Sequence, residues 1–141
     1  MTGVSVVAPP RMALGLTILR VIIGIVFIAH GAQKLFVFGI HGVVGGFSQM
    51  GVPLPSITAP LVAIVEFVGG IALVLGLFTR IAALLLAIDM LGAIVLVHFK
   101  GGFFLPAGYE FALTLLAANI ALAVSGPGDY AVDTRRRDAA G

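Results

Sequence analysis

Four apolar stretches divide the chain, and each is broken by only one or a few polar residues. The first covers residues 13–36; Thr17 and Arg20 interrupt it before it closes on His30, Gln33 and Lys34. The second, 59–78, has Glu66 as its charge within the apolar run. The third, 81–99, carries Asp89 near its middle and His98 at its end. The fourth, 109–125, starts with Tyr109 and Glu110 and holds Asn119 in its middle. At ~1.5 Å of rise per residue, helices of these lengths approach or cross ~30 Å of hydrocarbon. The pattern predicts an all-α integral membrane bundle of four helices. Gly51, Pro53 and Pro55, the pair Thr79-Arg80, the run Lys100 to Gly108, and Gly126-Pro127-Gly128 mark the connections.

The 41–50 stretch is apolar but too short to span. Val43, Val44, Phe47 and Met50 fall on one helical face, which predicts a short interfacial or re-entrant helix in the first extracytoplasmic loop, with a plain surface loop as the alternative. Residues 1–12 read as an N-terminal segment, and 129–141, with Arg135, Arg136 and Arg137, as a disordered basic tail.

Composition agrees with this class. The chain of 141 residues is 60% hydrophobic and only 10% charged, against ~25% charged in soluble domains. Its mean hydropathy is +1.20. The few cations sit at loop edges and in the tail, so they read as topology signals and not as a nucleic-acid surface. Arg11, Arg80 and the tail arginines fall on one side of the bundle; Lys34 and Lys100 fall on the other. The positive-inside rule then places both termini in the cytoplasm. The chain has no cysteine, so it offers no thiol chemistry of its own.

Ionisable groups at membrane depth are costly, and each is a functional candidate. Counted along the predicted spans, His30 and His98 lie ~24–25 Å from the cytoplasmic edge and Glu66 ~21 Å from it. Gln33, Lys34 and Glu110 add to the same outer layer. Arg20 and Asp89 come out deeper, ~9 and ~12 Å from that edge, with Asn119 near mid-membrane. This layer is read as structural: Arg20 and Asp89 as a buried ion pair or an oligomer contact. Asp89 and His98 point to opposite faces of an ideal helix, so both enter one site only if a helix end unwinds. His30 and His98 are open to three readings: interface caps, acid–base or quinone-contacting groups, or ligands of haem or a metal. A lone carboxylate such as Glu66 needs a partner or a raised pKa.

Several of these residues stand in a fixed order. The run Leu19-Arg20, Gly24, Phe27, His30-Gly31, Gln33-Lys34-Leu35 resembles the opening motif of the DoxX family. So do Gly51 with Pro53, Glu66 with Gly69-Gly70, and Gly76 with Thr79-Arg80 and Ala82-Ala83. His98 with Phe103-Phe104 and Pro106, then Gly108-Tyr109-Glu110-Phe111, continue the likeness. The match covers about residues 19–128. It departs from the family where Ala107 replaces a glycine, and Asp89 is outside its signature.

The resemblance implies a four-helix inner-membrane protein of redox function, with soluble redox and sulfur-metabolism enzymes as partners. The expected function is a quinone-interacting oxidoreductase subunit, with Glu66, His30 and His98 as proton-handling groups and Gln33, Lys34, Tyr109 and Glu110 as ligand contacts. Two other classes fit the same residues: a scaffold that recruits soluble enzymes, and a small proton-coupled transporter, the latter as a homodimer.

Overall fold

A computed structural model describes residues 9–140, and all regular structure among them is helical. Helix α1 (Pro10–Ala32) runs through a π-helical turn (Gln33–Phe38) into α2 (Gly39–Gln49), the short helix expected in the first loop. Then come α3 (Pro55–Leu75) and α4 (Thr79–Ala93). A second π turn (Ile94–His98) and a 3-10 turn (Phe99–Gly101) prolong α4. Helices α5 (Glu110–Ser125) and α6 (Val132–Ala140) complete the order. Pro10–Gln49, Pro55–Leu75 and Thr79–Gly101 are each long and apolar enough to cross a membrane, and α5 is a shorter apolar helix. The expected bundle is therefore present. Residues 1–8 of the N-terminal segment lie outside the described residues, and α1 already begins at Pro10.

Two kinds of residue set the packing. Small residues bring α1 against α3: a Cβ on Gly70 would stand 2.7 Å from the Gly24 carbonyl, and one on Gly31 would stand 2.5 Å from the Phe67 nitrogen. Such close backbone approach is how membrane helices gain contact without a hydrophobic drive between them. Ile23, Phe27, Leu73, Leu86, Leu115 and Leu122 fill the core between the helices. Leu14, Ile18, Ile22 and Ile25 on α1, and Ile64 and Val68 on α3, face outward, where the acyl chains of the bilayer cover them.

Helix ends are closed by long-range polar contacts. Helix α3 stops at Gly76, whose φ of +67° suits a glycine; Leu77 N–H bonds the Ala72 carbonyl at 2.9 Å. The Leu73 carbonyl, which also takes the Gly76 N–H at 3.2 Å, and the free Val74 carbonyl accept hydrogen bonds from Arg20 Nη1 at 2.6 and 2.7 Å, and the Tyr130 carbonyl accepts one from Nη2 at 3.0 Å. Arg80 does the same for α5, donating to the Ala123 and Val124 carbonyls. A cation at a helix C-terminus also meets the negative end of the helix dipole.

The Arg20–Asp89 ion pair is therefore corrected. Arg20 is 1% exposed and turns both terminal nitrogens to carbonyls at the end of α3 and in the tail. Asp89 sits elsewhere, in the cavity described below.

The tail expectation is corrected too. Residues 132–140 form α6 in place of a disordered tail. Asp133 accepts from the Phe78 and Thr79 backbone N–H groups at 2.8 and 2.9 Å, so it caps the start of α4 from the far end of the sequence. Thr134 donates to the Gly128 carbonyl, and Asp133 N–H donates to Gly76. Partial burial pushes the Asp133 carboxyl up, but the Thr79 and Phe78 N–H groups outweigh it and hold the acid below its ordinary value. A depressed folded-state pKa contributes stability above the unfolded value of ~3.9 and loses it as pH falls through the folded value. Asp133→Ala should cost about 0.5–2 kcal/mol at neutral pH, the usual range for a lost cap. Thermal melts of both proteins check this: the gap should close as pH falls through the folded-state value, where the wild-type acid becomes neutral as well.

Candidate functional site

The helices enclose a cavity of about 650 Å³ to which α1, α2, α3, α4 and α5 all contribute side chains. Most of its wall is apolar, with Phe27 from α1, Phe47 from α2 and Met50 just after it, Val62 and Val65 from α3, Leu85 and Met90 from α4, and Phe111 and Leu115 from α5. The polar exceptions are His30, Lys34, Thr58, Glu66, Asp89 and His98. An apolar chamber with a few convergent polar groups is the usual form of a small-molecule site.

Lys34 and Glu66 form its centre. Lys34 Nζ donates to Glu66 Oε2 at 2.5 Å, the only salt bridge among the described residues. Glu66 is 4% exposed, held in the middle of α3 with Gly69 and Gly70 a turn along. Lys34 lies in the first π turn, where the widened backbone changes the direction of side chains after His30. Such turns are frequent at functional sites.

Asp89 is the residue that sequence reasoning misplaced. It lines the cavity, within electrostatic reach of both Glu66 and Lys34. The helix boundaries explain this. Helix α3 ends at Leu75 and α4 starts at Thr79, each earlier than the apolar pattern suggests. With those ends, Glu66 and Asp89 both lie ~14–15 Å along their helices from the shared turn. His98 joins them because the second π turn intervenes. One extra residue in a turn removes about 100° of phase, which brings the faces of Asp89 and His98 within about 80°.

The other candidates are split. His30 lines the cavity and packs its ring 6.1 Å from Phe111. His98 Nδ1 lies 3.4 Å from the Ala107 carbonyl. Gln33 is exposed and outside the cavity wall. Glu110 and Tyr109 organise the 102–109 loop: Glu110 Oε1 accepts from Leu105 N–H at 2.8 Å, and Tyr109 stacks on Phe99 and meets Phe103 edge-on. Asn119 is fully buried on α5, bonded to Leu115 O through its amide nitrogen, and is not in the wall. Arg20 lies at the other end of α3. Among the described residues no three His, Cys, Asp or Glu side chains converge in a metal-binding group.

Comparison with known proteins gives a consistent result. A family model described as DoxX matches residues 15–99. "Putative oxidoreductase CatD" of Bacillus subtilis is 39% identical over 77% of this chain and 78% of its own length. "Uncharacterized membrane protein Rv3486" of Mycobacterium tuberculosis is 38% identical over 83% of this chain and 78% of its own. "Inner membrane protein YphA" of Escherichia coli is 31% identical over 85% and 89%. No solved structure matches the chain.

Proposed function

This chain belongs to the DoxX family of membrane proteins, and from that premise we propose that its cavity binds a lipid-soluble redox carrier of the quinone type. The chain would then be the carrier-binding subunit of a membrane oxidoreductase. One observation carries this reading: an apolar chamber of about 650 Å³ has its charged groups gathered around Lys34, Glu66 and Asp89. The volume lies within the ~300–1,000 Å³ usual for small-molecule sites. Phe27, Phe111 and the aliphatic wall suit a ring and the first part of an isoprenoid tail.

A bound quinone supplies two-electron, two-proton chemistry. The residues here would bind and orient its head group. Lys34 keeps donors beyond the one given to Glu66, so it can hold a ring oxygen. Glu66 fixes Lys34. His30, at the cavity wall beside Phe111, would exchange protons. The chain has no cysteine, and its electrons would come from a partner enzyme.

Gly92 offers a clean test. It lines the cavity, and a Cβ there would meet nothing within 4 Å. Gly92→Phe should fill the chamber while the melting temperature in detergent holds. Wild-type protein should bind a decyl-tailed benzoquinone in calorimetric titration, and Gly92→Phe should lose that binding at least tenfold. Equal binding by the two proteins would place the carrier somewhere else.

A further inference from the structure

The charges of the cavity do not balance by themselves. Lys34 is paired with Glu66. Asp89 remains, and its Oδ2 is buried with no hydrogen-bond partner among the described residues. Buried side-chain oxygens in proteins nearly always have a donor. Glu66 faces Asp89 from α3, but as a carboxylate it is a second acceptor, and no neighbouring donor is committed to this oxygen. Helix α1 presents His30, packed against Phe111; the first π turn presents Lys34, held by Glu66 of α3; the second presents His98, turned to the Ala107 carbonyl. Helices α2 and α5 present only apolar side chains to the chamber.

We propose that Asp89 is the acceptor for the ligand's head group, and that the cavity prefers the reduced, hydroxyl-bearing form of its carrier to the oxidised form. This rests on the carrier reading above and specifies which form the site selects. A carboxylate only accepts hydrogen bonds. The two oxygens of an oxidised quinone only accept as well, so one facing Asp89 would leave both acceptors unsatisfied and desolvated. The hydroxyl of a hydroquinone donates instead, in a charge-assisted bond. Lys34 can still donate to the second ring oxygen. A proton shared between Asp89 and Glu66 would sit between their facing oxygens, and the other Asp89 oxygen would remain an acceptor.

The test uses purified full-length protein in detergent at pH 8, titrated with decyl-tailed benzoquinone and with the same compound kept reduced under anaerobic conditions. In the wild type the hydroquinone should bind at least tenfold more tightly, the scale of one hydrogen bond to a charged group. Asp89→Leu should weaken the hydroquinone by that factor and leave the quinone unchanged, which removes the preference. Asp89→Asn keeps the shape and adds a donor, so it should tighten the quinone and narrow the gap even if the leucine variant folds poorly. Equal affinity for the two forms in wild type and both variants would overturn the role of Asp89 and leave the carrier reading standing. Tighter binding of the quinone by the wild type would overturn it also. Binding of neither form by the wild type would remove the carrier reading, and this inference with it.

Discussion

Arg20→Met should be the most damaging single substitution in the bundle. The guanidinium closes the α3 carbonyls of Leu73 and Val74 and ties the Tyr130 carbonyl to them. In the methionine variant all three carbonyls lose a donor: the Leu73 carbonyl keeps the Gly76 N–H, while the Val74 and Tyr130 carbonyls are left with none. Each stranded buried group costs ~1–3 kcal/mol. The three share one donor, so their costs do not add fully, and roughly 3–5 kcal/mol in total is expected. Arg20→Lys keeps the charge but loses the planar fork that reaches two helices, so it should recover only part of the loss. Thermal unfolding in detergent, followed by size-exclusion chromatography, reads both variants. A further Asp89→Leu change should not rescue Arg20→Met. Rescue would mean that the two residues touch, against the hydrogen bonds observed.

The sequence could announce that Arg20 was buried, but not what it was buried against. Counting charges within a membrane suggests a carboxylate partner, and Asp89 was the nearest in calculated depth. A helix C-terminus offers another partner, a set of carbonyls that no charge count includes. Which arginine reaches which helix end depends on the close α1–α3 approach at Gly24 and Gly70, a three-dimensional fact. The tail is similar. Val132–Ala140 has no long apolar face, and it is held by Asp133, which caps a helix more than fifty residues earlier. Local patterns carry no sign of such a contact.

The spans were legible because an apolar run of about twenty residues has one physical meaning in a chain this hydrophobic. Their ends were less so, since a turn such as Gly76 to Phe78 is apolar as well, and errors of two to three residues on either side of it set Glu66 and Asp89 in different layers. His30, Lys34, Glu66 and His98 were legible as cavity residues because polar groups within apolar runs are rare. Gln33, Tyr109 and Glu110 lie outside the cavity wall. At a helix end a polar residue costs little, so its presence says little about a site. Glu110 spends its carboxylate on the Leu105 N–H. The two π turns were the least visible feature, and they are what allows Lys34 and His98 to line the chamber.

Lys34 and Glu66 should respond unequally to mutation, and the inequality follows from where each group can go. Lys34→Met leaves the Glu66 carboxylate in an apolar chamber with no cation. Glu66 is 4% exposed and sits on a rigid helix, so its short side chain cannot swing out to bulk water. Stranding one partner of a buried pair costs roughly 3–5 kcal/mol. Glu66→Gln removes the other charge with a milder result. The Lys34 side chain is 18% exposed on a flexible stem, so its ammonium can move outward or turn to Asp89. A cost near 1 kcal/mol is expected, about that of one ordinary hydrogen bond. The double variant, Lys34→Met with Glu66→Gln, should then be more stable than Lys34→Met alone, because the stranded charge is gone. A double-mutant cycle on detergent melting curves measures this coupling directly. Additive effects, or a Glu66→Gln loss as large as that of Lys34→Met, would mean that the pair does not hold the cavity together, and the polar centre of the proposed site would have to be redrawn around Asp89 and the histidines.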